Sequence, residues 1–422
     1  MAELDGVDGW RAFDGGLSAW FDAPSPSPSP SRSPSLGVGA ALVARVVELV
    51  GGREFPDFDL RAGGVRVRIG VPGGEPGQAE MTLAGGISAA AQELGMVADP
   101  AGLQVLRVAV SSGELASVAS FWSTAFAYEP VGDLRFEDPL RRDPAISFYR
   151  LDEPRPLRNR IHVDVSRPSE AVEAFRAAVG QEPFGPWGVA LADPDGNEID
   201  LVPGGELPTE ISDARARTDE VGTADWRVLF GAMTFYPTTS PAQAGRLATA
   251  VAALTDEAGR PLLVDLRPDG VTIDSGKDQW EEDTAGFVTL AARIQSAARE
   301  LGLSADPARL RFVQFGIDAV DVAAVKDFWT TVLGYQETPR GYDLYDPRRL
   351  NPTFILQEMD AAESERRRQR NRTHFELLVP ADLVESRLAT AVAACGTILP
   401  ADRPGTRTAA DPEGNELTLI TS

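Results

Sequence analysis

Two of the 422 residues are histidines, two are lysines (Lys277 and Lys326) and one is a cysteine, Cys395. Acid–base, nucleophilic and metal chemistry draw most often on these three residue types, so His162 and His374 lead the search for a site. Each follows an Asn-Arg pair, Asn159-Arg160 in NRIHVDV and Asn371-Arg372 in NRTHFEL. Read as strands, both segments alternate. His162 and Asp164 share one face against Ile161, Val163 and Val165, and His374 and Glu376 oppose Thr373 and Phe375. Further on, DPDGNEIDL places Glu198 and Asp200 opposite Ile199 and Leu201, and DPEGNELTL brings Glu416 to the same place. A histidine and carboxylates on one face suit proton transfer or ligand binding in a cleft. The same groups can also bond each other and stiffen a sheet, and Gly-Asn supplies the positive φ of a turn. Cys395, in an Ala-rich stretch, reads as a small buried hydrophobe.

The elements that position these residues occur twice. Phe121-Trp122 in ASVASFWSTAFAYEP matches Phe328-Trp329 in AAVKDFWTTVLGYQE, an offset of 207 residues (121 to 328). Asp59-Leu60-Arg61 pairs with Asp265-Leu266-Arg267, Trp10-Arg11 with Trp226-Arg227, and ISAAAQELG with IQSAARELG. With the NR-x-H strands and the DPxGNE turns, these landmarks keep one order in both copies, which marks a tandem duplication of a unit of about 200 residues. The first half of each copy reads as an α+β layer: a Trp and a short strand, an apolar-periodic helix, a strand pair and a second helix. The second half reads as β-α-β-β-β written twice. Copy one alone carries PSPSPSPSRSPS, Pro24 to Ser35, a tract that is extended and does not pack. The polar stretch from Gly204 to Asp225 reads as a linker.

Composition narrows the function classes. A net charge of −23 argues against a nucleic-acid partner, and the basic run Arg366 to Arg372 reads as a solvated loop. No apolar run approaches a membrane span, and the acidic start, Met1 to Trp10, does not read as a leader. One cysteine excludes an intramolecular disulfide framework and fits a reducing compartment, so a cytoplasmic location is expected. Arginine-over-lysine usage and abundant alanine suit a high-GC bacterial gene.

With the FW pair, the NR-x-H strand and the closing DPxGNE turn, the second halves resemble the vicinal oxygen chelate superfamily, closest to its glyoxalase-like bacterial members. The resemblance covers roughly Leu103 to Pro203 and Leu310 to Ser422. It implies paired βαβββ modules curled into a cup, in which four inward side chains hold a divalent metal in many members. Mapped onto copy two, it implies the ligand set Gln314, Gln357 (or Glu358), His374 and Glu416, with Zn, Ni, Fe or Mn as the metal, and His374 and Glu416 as catalytic groups. Copy one offers Arg107, Tyr149 (or Arg150), His162 and Glu198 at the same positions. An arginine there repels a cation, so copy one is expected to bind substrate without metal, through Arg107, Tyr149, His162, Glu198 and the rim residue Trp187.

The first halves resemble pterin-4a-carbinolamine dehydratase in the leading Trp, the helix, the PDFDLR strand and the late helix. That family uses a His-His-Pro motif and a later His. Here Glu54-Phe55-Pro56 stands at the motif, Pro72 lies near the later position, and RPLLVDLR in copy two has no histidine either. The resemblance therefore implies a degenerate domain that packs or dimerises.

The expected fold is α+β, a tandem duplication of a pterin dehydratase-like α+β domain followed by a glyoxalase-like paired βαβββ domain. Its divisions are 1–100 (with the insertion at 24–35), 101–204, a linker at 205–224, 225–306 and 307–422. The expected partner is a small-molecule ligand, with no nucleic acid and no membrane, and a pseudo-dimer within the chain that is compatible with a homo-oligomer. The expected function is binding of, or action on, a small oxygenated metabolite, with metal-dependent lyase, isomerase or dioxygenase chemistry in the second glyoxalase-like domain. Alternatives are sequestration of a small molecule without chemistry, a relic 4a-hydroxytetrahydrobiopterin dehydratase, and a structural protein without ligand.

Overall fold

The computed structural model describes residues 7–421 apart from 8, 14, 25–34, 52–53, 71–75, 209–221 and 401–402. Most of the Pro/Ser tract, Pro72, and most of the expected linker lie outside the described residues. Two compact units form, and each draws on both copies: residues 1–103 with 204–310, and residues 104–203 with 311–422. The chain thus sorts by kind of half, first halves together and second halves together.

In the unit of first halves, one antiparallel sheet runs in the order Arg11–Phe13, Gly16–Asp22, Gly64–Gly70, Asp57–Arg61, Leu263–Arg267, Gly270–Asp274, Gly231–Pro237, Arg227–Leu229. The copies meet at its centre, with Asp59 opposite Asp265 in register. The helices Gly37–Val50 and Pro241–Ala258 pack together over it, and the core fills with their apolar stripes, among them Leu42, Val46, Leu247 and Val251. The apolar spacing at i, i+4 produces that burial. At the sheet's centre Arg267 bonds Asp59 at 2.6 Å and Arg61 bonds Asp265 at 2.7 Å. The guanidiniums of Arg267 and Arg66 push the Asp59 carboxyl well below its ordinary range against the cost of burial.

The unit of second halves holds two sheets. The first runs Thr397–Leu399, Thr406–Ala410, Glu416–Thr421, Thr373–Val379, Val105–Ser112, Ile146–Arg150, Arg135–Glu137, Glu129–Pro130. Within this unit the second runs Glu198–Glu206, Ile161–Pro168, Phe312–Ala319, Thr353–Glu358, Asp343–Tyr345, Gln336–Glu337, with Ala190–Ala192 beside Glu198–Glu206. Each sheet joins the copies through an antiparallel central pair, Val105–Ser112 with Thr373–Val379 and Ile161–Pro168 with Phe312–Ala319. Alternation sends Phe315 and Phe375 into one shared core, their ring centroids 4.8 Å apart. The opposite faces of the same strands are left for polar side chains.

Two local expectations need correction. Cys395 is exposed, not buried: it takes a left-handed φ of 62° just past the helix Val384–Ala393, and a residue in that turn projects away from the core. The run Arg366–Arg372 is not a solvated loop either. It opens within a short helix, Ser364–Arg368, and Arg366 and Arg372 are 6% and 2% exposed. Long guanidinium side chains are buried there because backbone carbonyls take up their N–H groups.

Candidate functional site

The duplicated motifs first serve to clasp the copies. Asn371 Oδ1 accepts from the Arg160 amide at 2.9 Å, and Asn159 Oδ1 accepts from the Arg372 amide at 2.8 Å, a reciprocal exchange. The amide groups of the same asparagines donate to Asn197 (2.7 Å) and Asn415 (2.8 Å) of the two DPxGNE turns. The FW tryptophans are tied to those turns as well, Trp122 to Asp193 at 2.8 Å and Trp329 to Asp411 at 3.0 Å. Burial raises the carboxyls of both Asp193 and Asp411. Buried polar groups must find partners, and this network supplies them, so FW, NR and DPxGNE position the site more than they form it.

The set Gln314, Gln357, His374 and Glu416 is not brought together. Gln314 and Gln357 stand on the second sheet, His374 and Glu416 on the first. The physical reason is the exchange of strands: the first module of each copy pairs with the second module of the other. The copy-one set divides in the same way, Arg107 and Tyr149 going to the first sheet and His162 and Glu198 to the second, with Trp187 in a turn beside the second.

On the second sheet His162 faces Gly316 and Asp164 faces Gln314 in register. Asp164 Oδ2 accepts from Gln314 Nε2 at 2.7 Å, and Asp164 Oδ1 lies 3.5 Å from His162 Nε2. The next strand adds Asp200. One ligand atom from each of His162, Asp164 and Asp200 falls within 4.8 Å of the others. Burial, then the charge of Asp164, pushes the Asp200 carboxyl up to about 6, with His162 and Arg158 opposing the shift and Glu198 adding to it. Gly316 is required by this packing, because a Cβ there would overlap the His162 ring. Glu198 points to Arg158, which bonds it at 2.8 Å. The adjoining cleft, about 340 Å³, is lined by six carboxylates and two arginines, with Gln357 and Glu358 at its edge and Trp187, 80% exposed, on its rim.

On the first sheet Ala109 faces His374 and Arg107 faces Glu376. Ala109 carries the Cβ that Gly316 lacks, and the His374 ring is correspondingly more exposed than that of His162. Its ring centroid lies 6.3 Å from that of Tyr149. Glu376 accepts from Tyr149 Oη at 2.8 Å and from Arg403 Nη2 at 2.6 Å, and Arg403 covers the Tyr149 ring at 3.9 Å. Glu416 accepts from Arg370 Nη2 at 2.7 Å. Burial lowers the pKa of His374, Glu376 and Glu416 working against it and Arg403 and Arg370 with it. The cleft here measures about 560 Å³.

Asp164, Asp200, Glu376, Arg370 and Arg403 were absent from the expected site. For Asp164 and Asp200 the signal was present, since the period of two already put them on the faces of His162 and Glu198. Arg370 stands four residues before His374, inside the basic run read as a solvated loop, and for Arg403 no local signal exists, because it arrives from another segment.

A glyoxalase-like domain profile matches residues 107–202 and 314–420, so the chain carries a glyoxalase-like domain in two regions. Similar solved structures include a mutant of glyoxalase I from Zea mays, 10% identical, with a TM-score of 0.35, covering 75% of this chain and 94% of that one. Another is a glyoxalase-related enzyme from Fulvimarina pelagi, 18% identical, TM-score 0.20, covering 25% of this chain and 86% of that one. A third is a mutant fosfomycin resistance protein from Listeria monocytogenes, complexed with Mn(II) and a dihydroxypropylphosphonic acid, 12% identical, TM-score 0.20, covering 25% of this chain and 84% of that one. No curated protein matches the chain in sequence. Among the described residues no helix is long and apolar enough to cross a membrane.

Proposed function

We propose that the protein takes a small oxygenated metabolite into the His162 cleft, beside a divalent cation held by His162, Asp164 and Asp200. The observation that carries this is the convergence of one imidazole and two carboxylates within 4.8 Å. The donor set fits a cation: nitrogen and carboxylate oxygen suit Zn, Ni, Fe and Mn. The Asp200 carboxyl is raised first by burial and then by the charge of Asp164, and a cation would relieve both. A bound cation supplies a Lewis acid for two adjacent substrate oxygens. The chain's own residues do the rest. Gln314 fixes the Asp164 carboxylate by its hydrogen bond. Arg158 keeps Glu198 turned aside. Trp187 offers an exposed ring at the mouth, suited to cover a flat ligand. Lyase, isomerase and dioxygenase chemistry all remain within this reading.

A second reading, sequestration without turnover, is favoured by the same exposed Trp187 and needs no reacting group. We propose that the first halves, which hold neither histidine, serve as packing platforms and not as dehydratases, with 1–100 and 225–306 as their proposed bounds, 101–204 and 307–422 as those of the glyoxalase-like domains, and 205–224 as the proposed linker. The test is elemental mass spectrometry on the purified protein incubated with Zn, Ni, Fe and Mn in turn. About one metal per chain is expected, lost in His162→Ala and Asp200→Asn and kept in His374→Ala. No bound metal, or loss only in His374→Ala, would sink the metal reading and leave capture.

A further inference from the structure

The two clefts occupy equivalent places in the two sheets, and their side chains diverge in a consistent direction. Along the duplication, Gln314 corresponds to Arg107, Gln357 to Tyr149 and Asp200 to Thr418. One exchange replaces an amide oxygen with a positive charge, and the other two replace an amide or carboxylate oxygen with a neutral hydroxyl, a poorer ligand for a cation. The carboxylates that remain are matched: Glu376 by Arg403 and Tyr149, Glu416 by Arg370. Against six carboxylates and two arginines around the His162 cleft, the His374 cleft is lined by four arginines and three carboxylates, with the hydroxyls of Ser111, Thr406, Thr408 and Thr418. Arg370 and Arg403 keep 41% and 30% of their side chains open to solvent, so ligand can reach guanidiniums already oriented by carboxylates. Burial lowers the pKa of His374, which favours the neutral imidazole. Among the described residues its ring nitrogens have no hydrogen-bond partner within the protein.

We propose that the cleft at His374 is a second ligand site, working without a metal, for a small hydroxylated organic anion: the carboxylate on Arg370 and Arg403, the hydroxyl on His374. Charge-assisted bonds from oriented guanidiniums supply the affinity. A neutral imidazole offers one donor and one acceptor to the hydroxyl. The site does not depend on the metal reading of His162, and the two can fail separately.

With two histidines in the chain, nitrogen-labelled histidine NMR of the full-length protein reads each cleft by one ring, assigned through His162→Gln and His374→Gln. Sodium lactate and sodium malate are titrated to about 50 mM, well above a millimolar dissociation constant, beside uncharged methyl lactate and, separately, manganese chloride. The expected result is saturable movement of the His374 ring by the anions, with His162 unmoved and methyl lactate at least about 10-fold weaker. Manganese broadens His162 and spares His374. Arg403→Gln weakens the anions by about 10-fold while manganese still broadens His162, which shows the unit intact. No movement of His374 by either anion, equal binding of the ester, or manganese broadening at His374 overturns the proposal. Loss of broadening at His162 alone overturns only the metal reading.

Discussion

Replacing Gly316 with alanine tests how the second sheet holds His162. The added Cβ would lie well inside the contact distance of the ring's Cε1 and Nε2, so the ring must retreat by about 1.5 Å to ordinary van der Waals contact. The His162, Asp164 and Asp200 ligand atoms span no more than 4.8 Å, and a shift of that size takes the imidazole out of their common centre. Loss of one oriented ligand lowers metal affinity about 10- to 100-fold. The overpacking costs about 1–3 kcal/mol, and the gain from replacing a strand glycine returns about 0.5–1 kcal/mol. The net loss of about 1–2 kcal/mol corresponds to a melting temperature lower by about 3–6 °C for a unit of this size. Manganese affinity by calorimetry and melting with and without manganese measure both effects. Ala109→Gly, at the equivalent place beside His374, is the control and should leave manganese affinity unchanged. Wild-type manganese affinity in Gly316→Ala would refute the assignment of His162 as a ligand held by this packing.

Three further outcomes follow from the same contacts. In metal-free protein the Asp200 carboxyl is raised to about 6, so the native state holds an extra proton and stability falls as pH rises from the ordinary carboxylate range to about 6. Asp200→Asn should therefore melt higher than wild type at pH 7.5, by about 1–2 kcal/mol after discount for partial exposure, with most of that difference gone at pH 4; the same gain at both pH values contradicts this. Asn371→Ala removes the acceptor of the Arg160 amide and a donor to Asn415, and should cost about 2–3 kcal/mol in denaturant melts; a loss under about 0.5 kcal/mol would show that the clasp is dispensable. Arg267→Met strands Asp59 with Arg66 as its remaining close partner and should destabilise by about 3 kcal/mol, with manganese affinity per folded chain unchanged in calorimetry; a changed affinity would argue against the first halves being platforms alone.

Much of this protein can be read from local pattern. The duplication is visible because the FW, NR-x-H and DPxGNE landmarks recur in order, and the β-α-β-β-β succession follows from periods of 3.6 and 2 that each segment carries by itself. The period of two also settles which side chains share a face, so Asp164 accompanies His162 and Asp200 accompanies Glu198 before any fold is known. Which strand lies beside which is a different matter. The two copies carry nearly the same local signals, so a strand of one module pairs equally well, as far as its own residues tell, with its own copy or the other. The choice rests on long-range contacts: Phe315 against Phe375 in one core, and the Asn159–Asn371 exchange. That choice sends Gln314 to His162 and leaves His374 to Arg107 and Tyr149. Arg370 and Arg403 reach Glu416 and Glu376 only once the chain has closed around them. Residue types and faces are thus local properties of the sequence. The partition into one cation-suited cleft and one arginine-lined cleft is a property of the tertiary pairing, because side chains from distant segments acquire a common charge environment only when the strands that carry them are neighbours.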